Sequence, residues 1–330
     1  MCRALLYLGQ PVLLDHLLYQ PDSALIRQSY MPKMLHMLNL AGFGMRAWSS
    51  DSHDAAKPYA YGVTTLPVFD RNLKNLAEKV QAECLLAHVR GVAYNSSVDI
   101  SLQNVHPFQF DGVPLAMAHN GDLARISDMK PLLMAHIAPA LLPKIRGTTD
   151  SEWIYALLVS QFAQAQPGGA WQSQSPGGSQ SQSPGGSYGA QRIEAADLVD
   201  AVKRTLAILR EVRATLGIAT SSSVNLFIAT GRQIAAVRYC FDFGCYATED
   251  AARVHEANLN YLSLWYTVGH EYGLRGGEWR MRGGSSADSV IIASEPLTRD
   301  TSSWVEVPEY GMIVADTSNG RPDLRTHLLA

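Results

Sequence analysis

Cys2 directly follows Met1. A small side chain at position two normally permits removal of the initiator methionine, and Cys2 would then carry a thiol and a free α-amine on one residue. That pair is a self-contained nucleophile and base. The amine titrates near ~8 and the thiol near ~8.5 when unperturbed, so a proton can pass between them at neutral pH. Three further polar clusters interrupt otherwise apolar text: Ala87-His88-Val89-Arg90-Gly91, Ala118-His119-Asn120-Gly121-Asp122 and Gly147-Thr148-Thr149-Asp150-Ser151-Glu152. Each has a structural alternative. Arg90 could pair with a surface carboxylate, Asn120-Gly121 is a common turn dipeptide, and Asp150 could cap a helix. Cys2 alone could be an ordinary residue of a buried first strand.

The elements that would position these residues can be read from hydrophobic periodicity. Leu5–Leu8 predicts a strand that pins the Cys2 terminus in a sheet. Residues 11–20 carry a short apolar helix pattern, and 32–38 a second. The Gly-punctuated run 39–48 turns into a strand. Leu73, Leu76 and Val80 predict a helix over 72–83 and are followed by a buried strand at 84–89, from which Arg90 emerges. A strand over 112–119 delivers Asn120. Ser127 is expected to cap a helix to about Leu142, ended by Pro143. A helix follows Thr148-Thr149-Asp150-Ser151 and runs to about Gln164. From about 166 to 191 the text repeats Ser-Gln-Ser-Pro-Gly-Gly-Ser, a composition that predicts a disordered surface insertion rather than a core. The helix resuming at Ile193 is expected to pair with the one before the insertion. Strands are expected at 224–229, 233–238, 261–268, 289–294 and 304–307. Strands mixed with helices in this order predict α+β architecture with packed sheets flanked by helices.

Taken together and in this order, the clusters resemble the class II glutamine amidotransferases, which are N-terminal-nucleophile hydrolases. The most specific part is the opening Met1-Cys2-Arg3, with Leu5, Tyr7-Leu8-Gly9, Leu18-Tyr19-Gln20-Pro21 and Gln28-Ser29 behind it. Gly42-Phe43-Gly44, Trp48, Val290–Leu297, Trp304 and Val307-Pro308 extend it. These stretches are similar to a subgroup acting on γ-glutamyl amides, which includes the γ-glutamyl-hercynylcysteine sulfoxide hydrolase of ergothioneine biosynthesis and a glutathione-degrading amidase. The resemblance implies a four-layer α/β/β/α sandwich with two antiparallel sheets, formed as a single domain over 1–330. It implies Cys2 as nucleophile with its own α-amine as base. It further implies Arg90 on the substrate α-carboxylate, Asn120 and the Gly121 backbone N–H as the oxyanion hole, and Asp150 on the substrate α-ammonium. Residue types fit these roles: Arg offers a planar fork to a carboxylate, and Asp offsets an ammonium. One departure is the run Gly91–Ser96, where many members have a small hydroxyl residue touching the carboxylate. Here that contact is missing or moved to Asn95 or Ser96.

The expected reaction is hydrolysis of a γ-glutamyl amide through a γ-glutamyl thioester, with the ergothioneine-pathway sulfoxide as first substrate. A glutathione-pathway amidase, a glutaminase subunit feeding a separate synthase, and an inactive scaffold of the same fold are the alternatives. No second catalytic domain is expected within these 330 residues, and the expectation is therefore a stand-alone hydrolase. The leaving-group pocket is expected from loops around 28–50 and 260–285. The aromatics Trp265, Tyr266, Tyr272 and Trp279 are expected in the core or at the rim, with some free to shape that pocket.

Composition excludes other classes. The 330 residues are 47% hydrophobic and 17% charged with net charge −3, which points to neither a nucleic-acid nor a membrane-surface partner. No apolar run approaches a membrane span and no signal peptide is read. Four cysteines make no disulfide framework, and a cytoplasmic location is expected. Cys240 and Cys245 lack a second ligand pair, so no metal and no cofactor are expected. His88 and His119 are read as satisfied core histidines. The resemblance implies a small γ-glutamyl substrate as partner, with a second copy of the chain or a pathway enzyme left open.

Overall fold

The computed structural model describes all residues except 1, 35–37, 93–97, 166–192, 247, 284–286, 318–319 and 330. In chain order the strands are β1 (Arg3–Leu13), β2 (Phe43–Trp48), β3 (Tyr59–Val63), β4 (Gln81–Val89), β5 (Ala116–Gly121), β6 (Ser222–Ala229), β7 (Gln233–Arg238), β8 (Cys240–Phe241), β9 (Trp265–Gly269), β10 (Glu271–Arg275), β11 (Glu278–Arg282), β12 (Ser289–Ala293), β13 (Val305–Glu306), β14 (Gly311–Asp316) and β15 (Asp323–Leu328). The helices are α1 (Leu14–Leu18), α2 (Leu25–Gln28), α3 (Arg71–Ala77), α4 (Ile126–Leu133), α5 (Asp150–Ala165), α6 (Ala195–Thr215) and α7 (Ala251–Leu262).

Two antiparallel sheets form the centre. The first has the order β13-β9-β12-β1-β4-β2-β3, and the second β15-β14-β7-β6-β5 with β8 pairing β6. Side chains alternate across each strand, and the core divides accordingly. Leu5 and Tyr7 of β1, with Leu85 and Ala87 of β4, pack outward against α1, α2 and α3. Met117 of β5 and Leu226 of β6 pack outward against α4, α5 and α6. Between the sheets lie Ala4, Leu6, Leu8, Cys84, Leu86, Ala116, Ala118, Ala229 and Ala236, all buried. The small residues let the sheets approach closely. This is the expected four-layer helix–sheet–sheet–helix arrangement.

Element boundaries differ from the periodicity where strand pairing wins. β1 continues to Leu13, pairing Val12 with Ala82 and Leu13 with Gln81 past an irregularity, so the helix expected over 11–20 shrinks to α1. α3 stops at Ala77 because 81–89 is claimed by the ladders to β1 and β2. α4 starts after Arg125, not Ser127. It ends at Leu133, and two short 3₁₀ turns follow. Residues 32–34 are not helical; the short helix nearby is α2 instead. The strand expected from 261 begins at Trp265, since α7 runs to Leu262. α5 and α6 pack on each other as expected, and the repeat-rich 166–191 lies outside the described residues. Among the described residues, no helix is long and apolar enough to cross a membrane.

Candidate active site

By alternation, Cys2, His88 and Asn120 share the inter-sheet face with Ala4, Leu86 and Ala118. They mark the end at which the apolar layer stops. β1 pairs Arg3 with Val89, so Cys2 stands beside Arg90 at the ladder's edge. The Gly91 N–H lies 3.3 Å from Cys2 Sγ, and the thiol lies 3.5 Å from the Gly91 carbonyl oxygen. Cys2 is only partly buried. Arg3 fixes the terminus from behind. Its side chain donates to the Cys2 carbonyl at 3.1 Å and forms a fully buried ion pair with Glu295 at 3.3 Å.

Arg90 is buried and its backbone is pinned on both sides. Its N–H donates to the Gly42 carbonyl at 2.8 Å, and its own carbonyl accepts from Ala41 at 3.0 Å. Gly42 sits at φ +118, where a Cβ would fall 2.6 Å from the Val63 carbonyl oxygen, so only glycine permits this turn. Arg90 Nη1 donates to the Asp99 carbonyl at 2.9 Å. Burial lowers the guanidinium pKa, and the nearby Cys2, Asp99 and Asp150 oppose that shift.

Asn120 reaches across the gap between the sheets. Its Nδ2 donates to Ser294 Oγ at 2.7 Å, and the same oxygen accepts the Ala4 N–H at 2.8 Å. The oxyanion candidate is therefore tied to a residue two positions from the nucleophile. Gly121 has φ +148, and a Cβ there would lie 1.8 Å from the Ser223 carbonyl oxygen. Asp150 opens α5. Its carboxylate accepts the Leu123 N–H at 2.8 Å, which ties it to the segment just after Gly121, and the Ser151 N–H at 2.8 Å. The structure thus brings Cys2, Arg90, Asn120, Gly121 and Asp150 to one end of the sandwich.

His88 and His106 pair at 3.0 Å inside that end. Burial, followed by the charges of Arg90 and His119, pushes the His88 pKa down to about 3. Burial likewise holds His106 well below its ordinary value. His119 points to the helix side, with Nδ1 2.9 Å from Ser151 Oγ and Nε2 3.2 Å from the Ser223 carbonyl. His119 fits the reading of a satisfied core histidine. His88 does so less fully, because its Nδ1 makes no well-aligned hydrogen bond although its ring interacts with Asn120.

Gly91 and Ser294 make contacts around Cys2 and Asn120 that the sequence does not single out. Gly91 directly follows Arg90 in the cluster already noted. Ser294 ends an apolar strand, a weak signal. The hairpin β10–β11, part of the 260–285 stretch expected to help shape the leaving-group pocket, lies away from Cys2. Gly9 of β1 pairs with Ser289, which pairs with Gly269 just before β10, so the hairpin stands at the opposite end of β1 from Cys2. Seven residues of strand separate those ends by about 23 Å. Tyr272 and Trp279 there pack on the outer face of the first sheet, away from the site. A cavity of about 400 Å³ lined by Arg275, Arg280, Met281, Arg282 and Gly283 belongs to that remote end. Asn95 and Ser96 lie outside the described residues. Among the described residues, no group of three or more His, Cys, Asp or Glu side chains could hold a metal ion.

Residues 66–176 match the family model described as glutamine amidotransferases class-II, a span that contains Arg90, Asn120, Gly121 and Asp150. The chain is 28% identical over 325 residues to the probable glutamine amidotransferase DUG3 of Saccharomyces cerevisiae, covering 95% of this chain and 81% of the relative. Among solved structures, a glutamine aminotransferase class-II domain protein from Silicibacter pomeroyi superposes with TM-score 0.55 at 15% identity, covering 100% of both chains. Glutamine phosphoribosylpyrophosphate amidotransferase from B. subtilis gives TM-score 0.53 at 15% identity, covering 100% of this chain and 49% of that one. The two structures share the fold, and the family match and the yeast relative supply the sequence kinship. Residues 66–176, which carry Arg90, Asn120, Gly121 and Asp150, are thus similar to the class II glutamine amidotransferases, and the chain shares its fold with solved proteins of that class.

Proposed function

We propose that the protein hydrolyses γ-glutamyl amides with Cys2 as its N-terminal nucleophile. The observation that carries this is the convergence of a partly open thiol, a buried arginine, a cross-sheet asparagine and a helix-start aspartate at one end of the sandwich. A γ-glutamyl group has a carboxylate and an ammonium at one end and a neutral amide at the other. Arg90 takes the carboxylate and Asp150 the ammonium, which leaves the amide carbon facing Sγ. Once Met1 is removed, the Cys2 α-amine accepts the thiol proton. The thiolate attacks the carbonyl carbon, and Asn120 Nδ2 with the Gly121 N–H stabilises the developing oxyanion. Nδ2 carries two hydrogens. One is held by Ser294, so the amide is oriented before substrate arrives and the other can serve the oxyanion. The ammonium returns its proton to the leaving amine as the C–N bond breaks. Water, deprotonated by the same amine, then cleaves the thioester to glutamate and free thiol.

For the leaving group, the opening stretch of the chain supports γ-glutamyl-hercynylcysteine sulfoxide, the ergothioneine-pathway substrate. The yeast relative, named a probable glutamine amidotransferase, supports glutamine as a second reading, with ammonia passed to a separate synthase. Glutamate release from the sulfoxide, glutathione and glutamine, measured side by side with Cys2→Ala as control, decides between them. The first reading predicts the highest kcat/KM on the sulfoxide. A preference for glutamine would support ammonia supply instead. Release from none of the three, or equal release by Cys2→Ala, would overturn the proposal.

A further inference from the structure

Arg90 and Asp150 come from different parts of the chain, and recognition of an α-amino acid depends on their spacing. One buried side chain spans the two segments that carry them. Asn104 is fully buried. Its Nδ2 lies 2.9 Å from Asp99 Oδ2 and 3.3 Å from the Asp99 carbonyl oxygen, the same oxygen that accepts Arg90 Nη1 at 2.9 Å. Its Nδ2 also donates to Thr148 Oγ1 at 3.0 Å, and its Oδ1 accepts the Thr148 N–H at 2.8 Å. Both ends of the amide are thereby used, and three acceptors share two hydrogens.

The Thr148 side of the tie leads rigidly into α5. Glu152, in the first turn, accepts the Arg146 N–H at 3.0 Å and the Gly147 N–H at 2.6 Å. Gly147 is where the close approach is made: a Cβ there would lie 2.4 Å from Asn104 Oδ1. A glycine is required because the asparagine passes directly over its backbone.

We infer that Asn104 is a positioning residue that sets the separation of Arg90 from Asp150, and with it the fit of the α-amino-acid head of the substrate. This inference rests on the γ-glutamyl reading of the site. Asn104 touches neither the thiol nor the reacting carbonyl in that reading, so its loss should weaken binding and spare chemistry. Asn104→Ala removes the whole tie. Thr148→Val removes only the Oγ1 bond and keeps the backbone one.

The test uses the full chain with a free Cys2 terminus. Steady-state glutamate release from L-glutamine is measured together with alkylation of Cys2 by two reagents. One is iodoacetamide, which needs no amino-acid site. The other is a diazoketone analogue of glutamine, which does. Asn104→Ala is expected to raise KM by about 10- to 100-fold with kcat changed by only a few fold. Alkylation by the analogue should slow by a similar factor while iodoacetamide reacts at the wild-type rate. Thr148→Val should show the same split, smaller in size, and covers the case in which Asn104→Ala does not fold. Unchanged KM in a folded Asn104→Ala, a fall in kcat alone, or equal slowing of both reagents would overturn the inference. Failure of the underlying reading looks different: the wild-type protein itself would then react with the analogue no faster than with a diazoketone lacking the amino-acid head.

Discussion

The inner faces of β1, β4 and β5 change character along their length. In the middle they carry Leu8, Leu6 and Ala4, then Cys84 and Leu86, then Ala116 and Ala118, all buried and apolar. One step further, on the same faces, stand Cys2, His88 and Asn120. The middle is close-packed, with each side chain filling space left by the opposite sheet. The end holds buried polar atoms without well-aligned partners, among them Asn120 Oδ1, His88 Nδ1 and His106 Nε2. Such groups cost stability and are kept where they are useful. In the proposed mechanism one pleat supplies stability in its middle and reactivity at its end, and substitutions in the two regions should separate cleanly.

The largest activity effect short of removing the nucleophile is expected at the polar end. Asn120→Ala should lower kcat by about 10²- to 10³-fold, the usual loss for one oxyanion donor. Asn120→Ala also deletes the Nδ2 bond to Ser294, but Ser294 Oγ keeps the Ala4 N–H, so the unfolding free energy should fall by only about 1–2 kcal/mol. Chemical denaturation of the same preparation checks the second half. A large stability loss would show that the polar end holds the fold together after all.

The reverse is expected in the middle. Leu6→Ala should destabilise the protein by about 2–5 kcal/mol, because Leu6 is fully buried between two sheets that cannot collapse onto the space it leaves. The specific activity of the folded fraction should stay within a few fold of wild type. A strong kcat defect at low temperature, with the protein folded, would break the separation.

A smaller effect concerns pH. His88 is pushed down to about 3 and His106 also lies well below 6.5, so both are neutral in the folded protein. The unfolded chain takes up their protons below about 6.5. Their contribution to stability is complete above that value and is lost as pH falls from about 6.5 towards about 3. Urea midpoints should fall over this window, and His88→Gln should make the fall shallower. An identical slope in the variant would show that His88 does not titrate as its burial requires.

Much of this arrangement is legible in the sequence because it depends on local signals. Apolar runs mark β1, β4 and β5, and the polar residue at the end of each run marks the candidate site. What escapes the sequence is set by tertiary partners. Asn104 reads as an ordinary loop asparagine, and nothing in its neighbours shows that it will meet Thr148. Ser294 acquires its role only when Ala4 and Asn120 arrive from two different sheets. β3 and β15 are edge strands with mostly exposed side chains, so they lack an apolar signature. β10 and β11 sit in a stretch rich in Arg and Gly that periodicity does not mark as strand. The helix boundaries at Leu14 and Ala77 are set by strand pairing elsewhere, which overrides local propensity.

In the proposed mechanism a terminal cysteine does the chemistry. The most direct measurement compares glutamate release by two otherwise identical preparations. One has Met1 removed and Cys2 free, and the other has an uncleavable N-terminal extension, with N-terminal processing confirmed by mass spectrometry. Release is expected to depend on the free terminus and to be lost with the extension, while both preparations remain folded. Equal release by the extended protein would contradict it, because the α-amine would then be dispensable.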